Sequence, residues 1–251
     1  MNSVSEPKIS KYGNAMFPPK KQLIIFLVGW IGFNIFATTI QMAILIFGNI
    51  YWGSGEEILR RSSMSMLVNG VAYLGLIFAI FLISRYDIKK LFKSFKQYQS
   101  YIAGAVCLLS MFAFNILYSS LLGLIKIPSG DNQNEASLQS LQDIYPLTCL
   151  LIFGIVGPIC EEMTYRVGLF SLLRRKNKAV AYVVTILVFA LIHFNFSTDK
   201  WTLINELLNL PYYMFAAAAF SFTYDKFGFA GSVSAHISNN LISLFLVKAI
   251  N

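Results

Sequence analysis

The chain has 251 residues, of which 56% are hydrophobic and 13% charged, and its mean hydropathy is +0.61. Soluble domains carry roughly 25% charged residues, so this composition excludes an ordinary soluble domain and predicts an all-α, polytopic transmembrane helix bundle. The net charge of +8 is spread over the ends of apolar segments, so a lipid bilayer is the expected partner and nucleic acid is not.

Residues 1–22 form a polar tail carrying Lys8, Lys11, Lys20 and Lys21, without the apolar core and small-residue cleavage site of a secretory signal. The first span is therefore read as a retained anchor. Apolar segments follow at 23–47, 64–84, 101–125, 145–173, 179–196, 207–224 and 229–247. A span needs about 20 apolar residues, so the pattern predicts about seven spanning helices, within six to eight. All of 23–250 is read as one membrane-embedded domain. The fourth segment is too long for a simple span, and Gly154, Gly157 and Pro158 mark an expected kink within it. Residues 128–143 make the one long polar stretch, which reads as a solvated connection. Cys107, Cys149 and Cys160 all fall in apolar segments and read as small buried hydrophobes.

Fifteen of the 20 Lys and Arg residues fall on alternate ends of these spans: the four tail lysines, Arg85, Lys89, Lys90, Lys93, Lys96, Arg166, Arg174, Arg175, Lys176, Lys178 and Lys226. Arg60, Arg61, Lys126, Lys200 and Lys248 fall on the other side. The positive-inside bias therefore predicts a cytoplasmic N-terminus.

Within this apolar chain Glu161 and Glu162 lie well inside a predicted span, and both histidines, His193 and His236, lie in apolar segments as well. A carboxylate at a bilayer centre costs about 2.5–3.5 kcal/mol on insertion scales, so such residues mark a buried functional site by default. On a helix Glu162 and Arg166 share a face, with the glutamate on the N-terminal side, the better order for an ion pair. Glu161 is turned about 100° away and is left as the free carboxylate, a candidate general base for activating water. Counted at helical rise from the basic cluster 174–178, Glu161 and His193 each lie about 20 Å deep. Counted from Gly228, His236 and Asn240 lie at about 12–18 Å. His236 and Asn240 share one face, as do Phe189 and His193. Taken singly, each of these groups reads as a helix-bridging polar residue; at matched depth they read as one site.

These residues resemble a known signature. Glu161-Glu162-Met163-Thr164-Tyr165-Arg166 is similar to an EExxxR motif, Phe189 to His193 to FxxxH, and His236 to Asn240 to HxxxN. In that order they resemble the CPBP intramembrane proteases, which include the CAAX prenyl endopeptidases and the bacterial Abi proteins. The resemblance implies a catalytic core at about 144–248, an intramembrane endopeptidase activity, and a membrane peptide or lipidated protein as substrate. It also implies roles for the residues. Glu161, assisted by His193, would activate water; His236 and Asn240 would stabilise the oxyanion; Glu162, Arg166 and Phe189 would shape the site. A metal-free glutamate mechanism is the preferred reading. Zinc held by Glu161, His193 and His236 is the alternative, although the HExxH spacing is absent. The short loops point to bacterial members, whose substrates would be peptide-pheromone or bacteriocin precursors. Two further functions compete: a non-enzymatic immunity or scaffold protein that binds a bacteriocin or signalling partner, and proton-coupled transport through the buried carboxylates.

Overall fold

The computed structural model describes residues 17–127, 130, 132–196 and 199–250, with the side chains of 246–250 excepted. Lys8, Lys11, Pro128 and the Lys248 side chain lie outside the described residues. Helix α1 spans Pro19–Trp52, opening on a proline at its first turn and closing at Gly53 with φ 66°. The short α2 (Gly55–Leu59) leads into α3 (Ser62–Ser84), α4 (Lys89–Phe95) and α5 (Tyr98–Leu124). Then come α6 (Gln133–Ile144), α7 (Pro146–Arg174), α8 (Lys178–Leu191), α9 (Lys200–Phe227) and α10 (Phe229–Ile250). Among the described residues there is no strand.

Four of these helices, α1, α3, α5 and α7, are long and apolar enough to cross a membrane. Their outward faces carry large apolar side chains that no other described part of the chain covers, such as Ile35 at 63%, Phe78 at 62% and Leu117 at 71% exposure. Water does not tolerate an apolar surface of that extent on a monomer, and lipid does. The three cysteines are free and buried, as expected.

Helix boundaries follow local chemistry. Asn177 and Asp199 cap α8 and α9 by accepting from the Val180 and Thr202 N–H groups. Gly228, at φ 87°, separates α9 from α10. Two departures from the sequence expectation bear on function. The stretch read as a solvated connection contains α6, whose cap Asn132 accepts from Glu135 N and whose Leu141 and Gln142 are buried; the Gln142 amide donates to Leu244 O. The expected kink in α7 takes another form: the helix stays continuous and widens into π-helical turns at Ile152–Val156 and Glu162–Phe170. Such turns are rare and recur at functional sites.

The α1–α7 contact is set by two glycines. A Cβ on Gly29 would lie 1.9 Å from Thr164 Oγ1, and one on Gly168 would lie 2.9 Å from Phe26 N. Backbone approach this close places α1 directly beside the second π-helical turn.

The basic residues meet at one end of the bundle. Lys21 and Lys90 both pair with Asp87, Arg174 and Lys178 reach Asp225 at 3.2 and 3.9 Å, and Arg175 donates to Gln22 and to Phe17 O. Arg166, counted with this set from sequence, is instead fully buried deeper in the bundle. Between the basic end and the middle of the bundle lies the main core, which includes Phe17, Ile25, Ile80, Val167, Phe170 and Phe229.

The Asp87 pairings have a pH consequence. Lys21 and Lys90 hold the Asp87 carboxyl below its ordinary 3.8. A depressed carboxylate stabilises the fold fully above its unfolded value, and the contribution is lost as pH falls through the lowered one. Thermal unfolding of Asp87→Asn in detergent should therefore be less sensitive to acid than that of the unsubstituted chain below about pH 5. Parallel acid limbs for the two proteins would refute the assignment.

Candidate functional site

Three of the helices and one turn bring the following polar side chains to one cavity of about 660 Å³. Glu161 comes from α7, His193 from the turn that follows α8, His236 and Asn240 from α10, and Tyr73 from α3. All of these side chains line the cavity. Phe189 lines it too, whereas Glu162 and Arg166 lie behind the wall. The two adjacent glutamates thus occupy different environments, as the helical turn count requires.

Glu162 is fully buried and serves two partners. Its Oε1 lies 3.2 Å from Arg166 Nη1 and accepts from His236 Nδ1 at 3.0 Å. Arg166, also fully buried, is held between rings, with its guanidinium carbon 4.3 Å from the Phe189 centroid and 5.3 Å from that of Phe220. This stacking replaces water on the faces of a buried cation. His236 is itself stacked on Phe220, at 4.5 Å and 21°. The Glu162 carboxylate fixes the imidazole tautomer with the proton on Nδ1, which turns Nε2 toward Glu161.

Glu161 keeps contact with the cavity. Its Oε1 accepts from the Tyr73 hydroxyl at 3.5 Å, and its Oε2 lies 3.7 Å from His236 Nε2. That Oε2 is buried and has no hydrogen-bond partner. A buried carboxylate oxygen without a hydrogen-bond partner, beside an imidazole, is a strong acceptor for a proton.

His193 lies past the last residue of α8 rather than within a span. Its Nδ1 donates to Phe189 O at 2.9 Å and its ring stacks on Tyr213 at 4.6 Å, so Nε2 is the remaining acceptor. The turn that carries it is tied down by two contacts absent from the sequence reading. Asn132 donates to His193 O, and Glu206, 1% exposed, accepts from Gln133 N at 2.8 Å and from Asn195 N at 3.0 Å. Glu206→Gln replaces one acceptor oxygen by an NH₂ group, leaving a buried N–H facing a donor. It should cost about 2–3 kcal/mol, and limited proteolysis should cut between α8 and α9 sooner. Unchanged stability and cutting would show that this carboxylate does not hold the turn.

Asn240 donates from Nδ2 to Phe153 O at 3.0 Å, at the first π-helical turn of α7. An amide nitrogen has two N–H donors, so a second one remains. Asn239 accepts from Tyr212 and donates to Asn240 Oδ1, fixing the amide orientation. Tyr73, Tyr212, Tyr213 and Glu206 carry no motif. The sequence signal for Tyr73 is its place on the stripe that Leu76 and Ile80 bury.

Among the described residues no three His, Cys, Asp or Glu side chains converge as a ligand group. The Nδ1 atoms of both histidines are committed, to Glu162 and to Phe189 O, which leaves Nε2 as the open nitrogen of each.

Fold and site together define a polytopic helical membrane protein with a buried carboxylate–imidazole cluster at the foot of a polar cavity. Residues 143–242 match the family model described as Rce1-like, type II CAAX prenyl endopeptidase Rce1-like. The resemblance carried by the three motifs is borne out over this stretch, and the family is one of peptidases. The chain is 28% identical over 233 residues to an uncharacterized protein of Mycoplasma capricolum subsp. capricolum, a match that covers 87% of this chain and 66% of that one. It is 32% identical over 85 residues to UPF0177 protein YvdC of Lactococcus lactis subsp. lactis, covering 33% of each. The chain therefore spans less than two thirds of the length of these curated relatives. No solved structure matches. Four membrane-length apolar helices make this an integral membrane protein.

Proposed function

We propose that the protein is an intramembrane endopeptidase that hydrolyses a peptide bond in a small membrane-associated peptide, using water activated by Glu161. The observation that carries the reading is the division of labour between adjacent carboxylates. Glu162 lies behind the wall with its Oε1 held by Arg166 and His236, while Glu161 lines the cavity.

The chemistry needs only this chain's own groups. With Glu162 ionised against Arg166, one proton shared between Glu161 and His236 leaves the buried cluster neutral, the state that burial favours. In the reactive arrangement that proton sits on His236 Nε2 and Glu161 is the carboxylate. Glu161 takes a proton from water, and the water oxygen attacks the scissile carbonyl carbon. The carbonyl π electrons move to oxygen, where the free Asn240 N–H and His236 Nε2–H stabilise the charge. The proton held by Glu161 then passes to the departing nitrogen as the C–N bond breaks. His193, with Nε2 as acceptor, assists the first transfer. Tyr73 positions Glu161 by donating to its other oxygen.

In this reading seven helices, α1, α3, α5, α7, α8, α9 and α10, cross the membrane as one domain over 23–250, with the hydrolytic core at 144–248. The basic end is cytoplasmic, which puts the N-terminus there. The membrane is a bacterial plasma membrane, as the Mycoplasma and Lactococcus relatives support. The substrates are small membrane-associated or lipidated peptides, with peptide-pheromone or bacteriocin precursors the preferred class.

The test is to incubate the purified protein in lipid nanodiscs with a library of membrane peptides, with and without chelator, and to read the cleavage sites by mass spectrometry. Discrete cuts that survive the chelator are expected. Cleavage abolished by the chelator and restored by zinc would refute the metal-free mechanism, and no cleavage alongside full cellular function would favour the non-enzymatic reading.

A further inference from the structure

The cavity is asymmetric about the site. Its wall continues away from Glu161 along α3 through Asn69 to Ser65 in the first helical turn, and along α5 through Asn115 to Leu122 in the last. It reaches Asn134 in the first turn of α6. These positions all lie at the end of the bundle opposite Lys21, Asp87, Arg174 and Asp225. Asn115 and Asn134 are solvent-exposed, and Asn69 is half-buried.

In the other direction the site is closed. The cavity lining stops at Leu76, Thr164, Phe220 and His236. Beyond them, toward the basic end, the core packs Ile25, Ile80, Val167, Phe170, Tyr224 and Phe229, all at most 7% exposed. A core packed at protein density has no voids wide enough for a chain to pass. The walls of the open side mix amide side chains such as Asn69 and Asn115 with Leu122, Leu138 and Leu208 and the Glu135 side chain. A polypeptide finds along them donors and acceptors for its backbone and apolar contacts for its side chains.

We propose that the site takes its substrate through this shaft, from the membrane face opposite the basic cluster, and that the substrate segment entering it is an extended peptide. This rests on the hydrolytic reading above and adds the side and the chemistry of delivery. With the basic end cytoplasmic, the substrate arrives from outside the cell. The path from Ser65 to Leu76 rises about 17 Å along α3, which accommodates about five residues of extended chain. The peptides served are therefore exported ones whose scissile bond is presented by a short extended stretch.

The experiment reads access rather than turnover, so it stands or falls apart from the hydrolytic assignment. Single cysteines are introduced as Asn69→Cys, Asn115→Cys and, as the reference for the basic face, Lys93→Cys. The unsubstituted chain gives the background of its three buried thiols. A membrane-impermeant maleimide is applied to right-side-out and to inverted vesicles of the expressing cells. Asn69→Cys and Asn115→Cys should label at least tenfold faster from the face where Lys93→Cys does not label. An unacylated, uncharged hexapeptide amide added on that face should slow labelling of Asn69→Cys severalfold. Labelling of both shaft positions from the Lys93 side, or of Asn69→Cys from neither side while Lys93→Cys labels normally, would overturn the proposal. Protection by farnesol and not by the peptide would overturn the substrate class.

Discussion

Glu161→Gln should lose peptide hydrolysis by on the order of 10³- to 10⁴-fold, the upper part of what a positioned general base contributes, with no loss of stability. The amide is isosteric with the carboxyl, and its oxygen can still accept from Tyr73 at the 3.5 Å contact. Its nitrogen falls where Oε2 now has no hydrogen-bond partner, so no existing bond is broken. What is removed is the ability to take a proton from water. Glu162→Gln, one residue away, should behave in the opposite manner. It uncouples a fully buried arginine and the imidazole 3.0 Å away, so the protein should fold poorly before its kinetics can be asked about. Rates from single-turnover cleavage and unfolding midpoints, measured on both variants, separate the roles. Wild-type hydrolysis by Glu161→Gln would remove this residue from the chemistry, since nothing else in the cavity wall supplies a second carboxylate at that position.

The difference between the two glutamates was legible in the sequence because a helix repeats every 3.6 residues, and a π-helical turn did not disturb the Glu162–Arg166 pair. Several helix ends were legible for the same kind of reason: runs bounded by Pro19, Asn177, Asp199 and Gly228 declare their ends through local chemistry. Features decided by tertiary partners were not. Helix α6 has a polar sequence that reads as solvated. Its signal, Asn132 three residues before Glu135, is a capping pattern that only gains meaning once Glu206 and Leu244 O supply buried partners. His193 falls beyond Leu191 with no stop residue to announce it, because the turn is held from outside by Asn132 and Glu206. The π-helical widening of α7 likewise reflects what packs on it. Gly29 presses a backbone against Thr164, and Asn240 takes the Phe153 carbonyl, neither of which a single segment records.

Arg166→Met should destabilise the protein by about 3–5 kcal/mol, the cost of leaving one member of a buried ion pair without its partner. Arg166 and Glu162 are both fully buried at 3.2 Å, so neither can recover its lost solvation by turning to water. The substitution keeps much of the apolar volume between Phe189 and Phe220 and removes the charge, so the loss measures the stranded carboxylate more than a cavity. Arg166→Lys should be nearly as damaging, because an ammonium cannot stack in the slot between the two rings. The decisive variant is the double one. Combining Arg166→Met with Glu162→Gln removes both charges together, and most of the lost stability should return. Hydrolysis should not return with it, because His236 Nδ1 would then face an amide in place of the carboxylate that fixes its tautomer. Unfolding midpoints in detergent across the four proteins give the coupling directly. A double variant no more stable than Arg166→Met alone would mean that the arginine acts through its packing, and that the charge of Glu162 is balanced elsewhere.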